Sequence, residues 1–221
     1  MIERILPPEV VAVEAFRDAP DATLFPAEEA VVARAVDKRR REFATARACA
    51  RAALGRLGIA PVPILPGERG APQWPDGIVG SMTHCEGFRA AAVARDRDVA
   101  SLGIDAEPDQ PLPDGVLEMI VNDRERAQLA ALSAADPDVC WERLLFSAKE
   151  SVYKAWFPLT RRWLDFTEAE VAFDRIGRAF TAKLLVPAPL SEMRGRWMSA
   201  CGLLATAVVI EQELPAPSGW L

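Results

Sequence analysis

Residues 78–107 read IVGSMTHCEGFRAAAVARDRDVASLGIDAE, and this stretch decides the fold. Ile78 to Met82, Phe88 to Ala94 and Val99 to Asp105 are three successive short strand candidates, bounded by polar and glycine residues. The segment before them, Pro61 to Gly77, is rich in proline and glycine and reads as loop. Further back, Pro26 to Leu57 predicts a helix: it is alanine-rich, free of proline after Pro26, and closed by Gly58. Val36, Phe43, Ala50 and Leu54 give that helix an apolar stripe, with Arg40, Arg47 and Arg51 along one edge.

Beyond the connection Pro108 to Pro113, the pattern returns. A second helical zone spans about Asp114 to Phe157 with a break near Asp136-Pro137. Strand candidates follow at Ala169 to Phe173, Phe180 to Val186 and Gly202 to Ile210. Helix then three strands, given twice without sequence identity between the halves, predicts an α+β fold of two lobes with mainly antiparallel sheets. The expected lobes are residues 1–108 and 109–221, with a ligand groove between them.

The composition is that of a globular protein: 221 residues, half of them apolar and about a quarter charged. The longest apolar runs, such as Leu203 to Ile210, are too short to span a bilayer. The start, Met1-Ile2-Glu3-Arg4, lacks the basic flank and apolar run of a signal peptide, so a cytoplasmic location is expected, with no membrane partner. Cys49, Cys85, Cys140 and Cys201 are scattered without a C-x-x-C pair and read as reduced thiols in or near the core. A net charge of −6 argues against nucleic acid as a partner. It conceals a local reversal from Arg34 to Arg51, where seven basic residues face only Asp37 and Glu42. A basic patch on an acidic chain suits a small polyanion.

Two acidic clusters carry the candidate chemistry. Asp105 and Glu107 stand two apart at the end of a strand-like run and share a face. Lys149, Glu150 and Lys154 lie on a helix in apolar company, where charged groups need a reason. Together they can build a hard-cation site of the kind that shares oxygen ligands with substrate phosphates. Each has an ordinary counterpart: Glu150 and Lys154 have the i,i+4 spacing of a helix surface pair, and Asp123/Glu125 repeat the D-x-E pattern. His84, the single histidine, follows Ser81 and Thr83 in a small polar turn after a strand, where these side chains and backbone N–H groups can donate to phosphate oxygens. There is no Walker loop, G-x-G-x-x-G or G-x-S-x-G.

Taken together, Lys38-Arg39-Arg40 through Arg47, Gly80 to His84, Gly103 to Glu107 and Phe146 to Trp156 closely resemble the 4′-phosphopantetheinyl transferases, in particular the larger type that activates siderophore, polyketide and peptide synthetases. The resemblance implies a pseudo-twofold pair of α+β lobes with coenzyme A between them. It implies that Asp105, Glu107 and Glu150 hold Mg²⁺, or Mn²⁺ in its place, against the coenzyme A diphosphate. Arg39, Arg47 and His84 would meet the 3′-phosphate end, with Ser81 and Thr83 nearby. Lys149 and Lys154 would sit by the diphosphate and the reacting serine, with Glu150 the candidate base. Two departures stand out. The family's G-K-P loop here reads Gly67-Glu68-Arg69-Gly70-Ala71-Pro72, leaving Arg69 to supply the basic contact, and its frequent tryptophan before the K-E pair is Phe146. The implied partners are apo acyl or peptidyl carrier domains, met by a monomer through Trp156, Phe157, Arg161, Arg162, Trp163 and Leu164. A Mg²⁺-dependent phosphohydrolase or nucleotidyl transferase using the same carboxylates, and a non-catalytic coenzyme A-binding module, stand as alternatives.

Overall fold

The computed structural model describes residues 1–188 and 190–212; the tail from Pro215 to Leu221, whose role the sequence leaves open, lies outside them. In chain order the elements are β1 (Val11–Ala15), α1 (Pro26–Val31), α2 (Asp37–Arg56), β2 (Ile78–Cys85), β3 (Phe88–Arg95), β4 (Val99–Pro108), α3 (Val116–Ile120), α4 (Asp123–Ala135) and α5 (Trp141–Thr160). Four strands follow: β5 (Ala169–Asp174), β6 (Ala179–Leu184), β7 (Glu192–Ala200) and β8 (Leu203–Glu211). They build two antiparallel sheets, one of three strands in the order β1-β3-β2 and one of five in the order β4-β8-β7-β6-β5.

Three apolar clusters hold this α+β fold together. Cys49, Ala50, Ala53 and Leu54 of α2 pack on Ile78, Ala91 and Val93 of the first sheet. Leu144, Ala148, Val152 and Trp156 of α5 pack on Ala182, Trp197 and Val208 of the second. Between the sheets lie Phe88, Ala90, Ala92 and Ala94 of β3 with Ile104, Ala106, Ala205 and Ala207. β3 is therefore covered on both faces, which explains why its sequence is a continuous apolar run instead of an alternating one.

The structure corrects the sequence reading in several places, among them the second helical zone, which breaks at Val121-Asn122 as well as near Asp136-Pro137. The helix expected over Pro26 to Leu57 is two, α1 and α2. The Arg40 guanidinium donates to the Val32 carbonyl (3.1 Å), the group that a continuous helix would give to residue 36, and to Glu29 (2.9 Å). Val36 is consequently extended and 73% exposed, outside the buried stripe formed by Phe43, Ala50 and Leu54.

The second correction is to the first strand triplet. β4 pairs with β8, and joins β2 only through side chains: Ser81 Oγ accepts the Ile104 N–H and Thr83 Oγ1 accepts that of Ala106, both at 3.1 Å. Third, β1 and β7 were not anticipated, and His84 lies within β2 instead of a turn. Fourth, Cys201 is exposed, while Cys49 is buried and Cys85 and Cys140 are half-buried; all four are free. No helix among the described residues is long and apolar enough to cross a membrane.

Candidate active site

A cleft of about 1020 Å³ runs between the two halves of the chain, lined by α2, the loop Pro66–Trp74, β2 and α5. Its first wall is basic. Arg47 is largely buried; its Nε donates to the Ile64 carbonyl (3.2 Å) and its guanidinium lies 3.7 Å over the Phe43 ring. Burial pulls its pKa down to about 10, so it remains charged at neutral pH. Arg39, exposed and about two turns earlier on α2, meets Nε2 of His84. His84 is pushed down to about 4, by burial first and then by the charges of Arg39 and Lys154. Arg69 sits in a left-handed conformation (φ 52) with its guanidinium 5.1 Å over Trp163, and it lines the cleft. Ser81 and Thr83 are buried, and their oxygens serve the β2–β4 seam before any ligand.

On the α5 side Glu150 and Lys154 line the cleft, and the carboxylates of β4 lie behind them. Asp105 is buried at the heart of β4; its Oδ1 accepts from Lys154 Nζ (2.7 Å) and Thr83 Oγ1 (3.2 Å), while Oδ2 is buried without a partner. Glu107 is paired with Arg143 (3.0 Å). Its pKa is raised by burial and then by Asp105, against the pull of Arg143. Glu150 is likewise raised, by burial first; Lys154 lowers it and Asp105 raises it. Arg143, Glu150 and Lys154 recur at seven and four residues along α5, which sets them on one stripe of the helix.

Among the described residues no three His, Cys, Asp or Glu side chains stand close enough to hold one metal ion. The expected Asp105–Glu107–Glu150 ligand set is thus not preassembled: Lys154 matches the charge of Asp105, and Arg143 that of Glu107. The donor chemistry still suits a hard cation, because these are carboxylate oxygens and the orphaned Oδ2 of Asp105 is the acceptor such an ion would satisfy.

Lys149, expected at the diphosphate, is not in this cleft. It is 3% exposed and its ammonium is spent on the Ile120 and Phe166 carbonyls and on Glu125. A separate small cavity of about 80 Å³ touches it, shared with Glu150, Tyr153 and Trp163. The expected docking segment is also largely core: Trp156, Phe157 and Leu164 are buried, leaving Trp163, 51% exposed, and the adjacent arginines.

Sequence reasoning missed Arg143 and Tyr153. Arg143 stands two turns before Glu150, a spacing that identifies it. Tyr153, the single tyrosine, lines the cleft with its hydroxyl buried and unpartnered among the described residues.

Two family models match the chain: a 4′-phosphopantetheinyl transferase N-terminal domain over residues 27–94, and the 4′-phosphopantetheinyl transferase superfamily over residues 101–195. The chain is 60% identical to the 4′-phosphopantetheinyl transferase Svp of Streptomyces mobaraensis over 99% of its own length and 91% of that protein. It is 48% identical to the 4′-phosphopantetheinyl transferase PptT of Mycobacterium tuberculosis, covering 89% of this chain and 90% of the relative. Enterobactin synthase component D of Salmonella typhi is 37% identical across 54% of this chain and 49% of its own.

Proposed function

The chain belongs to the 4′-phosphopantetheinyl transferases, and from that premise we propose how its cleft performs the reaction. The enzyme moves the 4′-phosphopantetheine group of coenzyme A onto a serine of an apo carrier protein and releases 3′,5′-adenosine bisphosphate. We infer that Arg39, Arg47 and His84 receive the 3′-phosphate, that Arg69 closes over the ligand, and that Lys154 meets the diphosphate. The observation that carries this assignment is the polarity of the cleft, with buried and clustered cations on the α2–β2 wall and the Glu150–Lys154 stripe on the α5 wall.

Asp105, Glu107 and Glu150 are the residues that would hold Mg²⁺, or Mn²⁺. When bound, such an ion supplies charge neutralisation at the diphosphate and the leaving oxygen. For Asp105 and Glu107 to serve, Lys154 and Arg143 must release them, and an arriving diphosphate offers both cations a new partner.

The serine Oγ attacks the phosphorus that bears pantetheine, the P–O bond to the adenosine bisphosphate breaks, and the bisphosphate leaves with the electron pair. A serine hydroxyl needs a base at that moment. Glu150 is the candidate, since burial and the neighbouring Asp105 raise its proton affinity toward a working range. Lys154, one turn on, stays beside the leaving charge. His84, neutral in the free protein, becomes a second donor to the 3′-phosphate on taking up a proton. The four free thiols fit a reducing compartment, and the enzyme is proposed to act in the cytoplasm as a monomer.

The test is to incubate the protein with coenzyme A, Mg²⁺ and an apo carrier domain and weigh the carrier intact. Transfer adds ~340 Da at the serine nucleophile, and chelation of the metal abolishes the gain. Free phosphate or nucleotide without a mass gain overturns the assignment in favour of hydrolysis. Coenzyme A bound but unchanged reduces the protein to a binding module.

A further inference from the structure

Adjacent side chains on α5 serve different surroundings. Glu150 faces the cleft, whereas Lys149, about 100° around the helix, faces the interior. The Lys149 ammonium donates to the Ile120 carbonyl at 2.6 Å, the Phe166 carbonyl at 2.7 Å and the Glu125 carboxylate at 2.9 Å. An ammonium has three N–H bonds, so none is left for a phosphate.

Glu125 is as deeply buried and as fully used: it also accepts the N–H groups of Asn122 (2.9 Å) and Val171 (2.8 Å). One ion pair thereby fastens α5 to the end of α3, the first turn of α4, the turn at Phe166–Glu168 and β5. Three bonds gathered at one buried ammonium tie α5 to these neighbours and oppose its rotation or sliding. That rotation and height are what bring Lys154 Nζ to 2.7 Å from Asp105 and aim Glu150 into the cleft.

We propose that Lys149 and Glu125 form a positioning pair, which sets the phase of α5 for Glu150 and Lys154 while neither member touches coenzyme A or the serine. The inference rests on the transferase assignment for its kinetic readout. It departs from the catalytic part that the sequence suggested for Lys149.

The experiment compares wild type with Glu125→Gln, Lys149→Met and the double variant Lys149→Met/Glu125→Leu. The readouts are kcat and KM for coenzyme A, the pH profile of kcat, and hydrogen exchange of the α5 amides. Removing one member of a buried pair strands the other, whereas replacing both with apolar groups does not. Both single variants should lose about tenfold or more in kcat, as misplacement of reacting groups does, with faster exchange in α5. The double variant should recover kcat to within about threefold of wild type, with the same pH limbs, since non-additive rescue marks a shared structural task.

A double variant that melts cooperatively yet stays about a hundredfold slow, or loses the basic limb of the profile, overturns the proposal and returns Lys149 to the chemistry. Should the double variant fail to fold, Glu125→Gln decides alone. Unchanged kcat and exchange refute the pair, and a joint loss supports it. Wild-type protein that adds no mass to the carrier refutes the transferase assignment instead, and the exchange data still judge the pair.

Discussion

A single methyl group added at Gly103 should part α5 from β4. A Cβ there would lie 2.0 Å from the Ser151 carbonyl oxygen and 2.6 Å from the Ala155 amide nitrogen. Both are backbone atoms of α5, so no rotamer change relieves the clash. Contacts under 3.0 Å are essentially never seen for a real Cβ, so the helix must retreat from β4 by about 1 Å. The Ser101 hydroxyl bond to the Ala155 carbonyl, now 2.7 Å, and the Lys154–Asp105 contact, also 2.7 Å, would both stretch past hydrogen-bonding range. Overpacking costs about 1–3 kcal/mol, and two backbone clashes put Gly103→Ala at the upper end. Activity should suffer more than stability, because a shift of about 1 Å at reacting groups can cost about a hundredfold in rate. Urea denaturation gives the first number, and carrier modification under conditions where the variant is folded gives the second. Gly195→Ala is the control. Its Cβ would meet the Phe180 ring at 2.1 Å, inside the second sheet, so it should destabilise while sparing kcat in the folded fraction. A Gly103→Ala protein within about 0.5 kcal/mol and twofold of wild type would refute the seating of α5 on β4 described above.

Asp105→Asn and Glu150→Gln should each abolish transfer, by about a thousandfold or more, while a cooperative melt is retained; near-normal turnover in either would remove the carboxylates from the reaction. Arg47→Ala should weaken coenzyme A by about tenfold or more, the loss of a charge-assisted hydrogen bond, and dephospho-coenzyme A hardly at all; equal losses in calorimetry would separate this arginine from the 3′-phosphate. His84 has a pKa of about 4 in the folded protein against an ordinary 6.5, so the unfolded chain takes the proton first. Its stabilising contribution is complete above about pH 6.5 and disappears as pH falls toward about 4. His84→Gln should flatten that part of the stability profile in urea titrations, and an unchanged slope would exclude the histidine as its source. Arg161→Glu should raise the carrier KM with little change in that for coenzyme A; the reverse would place docking away from the α5 C-terminus.

What the sequence discloses and withholds follows from the range of the forces involved. The strand segments at 78–105 are legible because local chemistry marks them, but the partner of β4 is not. A run such as Ser101-Leu102-Gly103-Ile104 would be buried beside β3 or beside β8 alike. The choice lies in the pairing of residues some hundred positions apart, such as Gly103 with Val208, and in the hydroxyls of Ser81 and Thr83 that occupy the seam. β7 escaped notice because charged residues alternate with a glycine and a few apolar ones, and Gly195 is there only to admit the Phe180 ring.

The candidate site divides along the same line. Asp105, Glu107 and Glu150 are conspicuous as carboxylates in apolar surroundings, yet their present counter-ions, Lys154 and Arg143, depend on tertiary geometry. Lys149 is the instructive case, because its direction was encoded. Leu145, Val152 and Trp156 stand four before, three after and seven after it, and all are buried. Helical periodicity therefore assigns Lys149 to the core stripe and Glu150 to the stripe of Arg143 and Lys154. A lysine on a buried stripe must find three acceptors there or forfeit its charge. Finding Ile120, Phe166 and Glu125, its three donors are all used, against the pull of burial on its pKa, and Glu150 and Lys154, on the next stripe, are the residues of α5 that line the cleft.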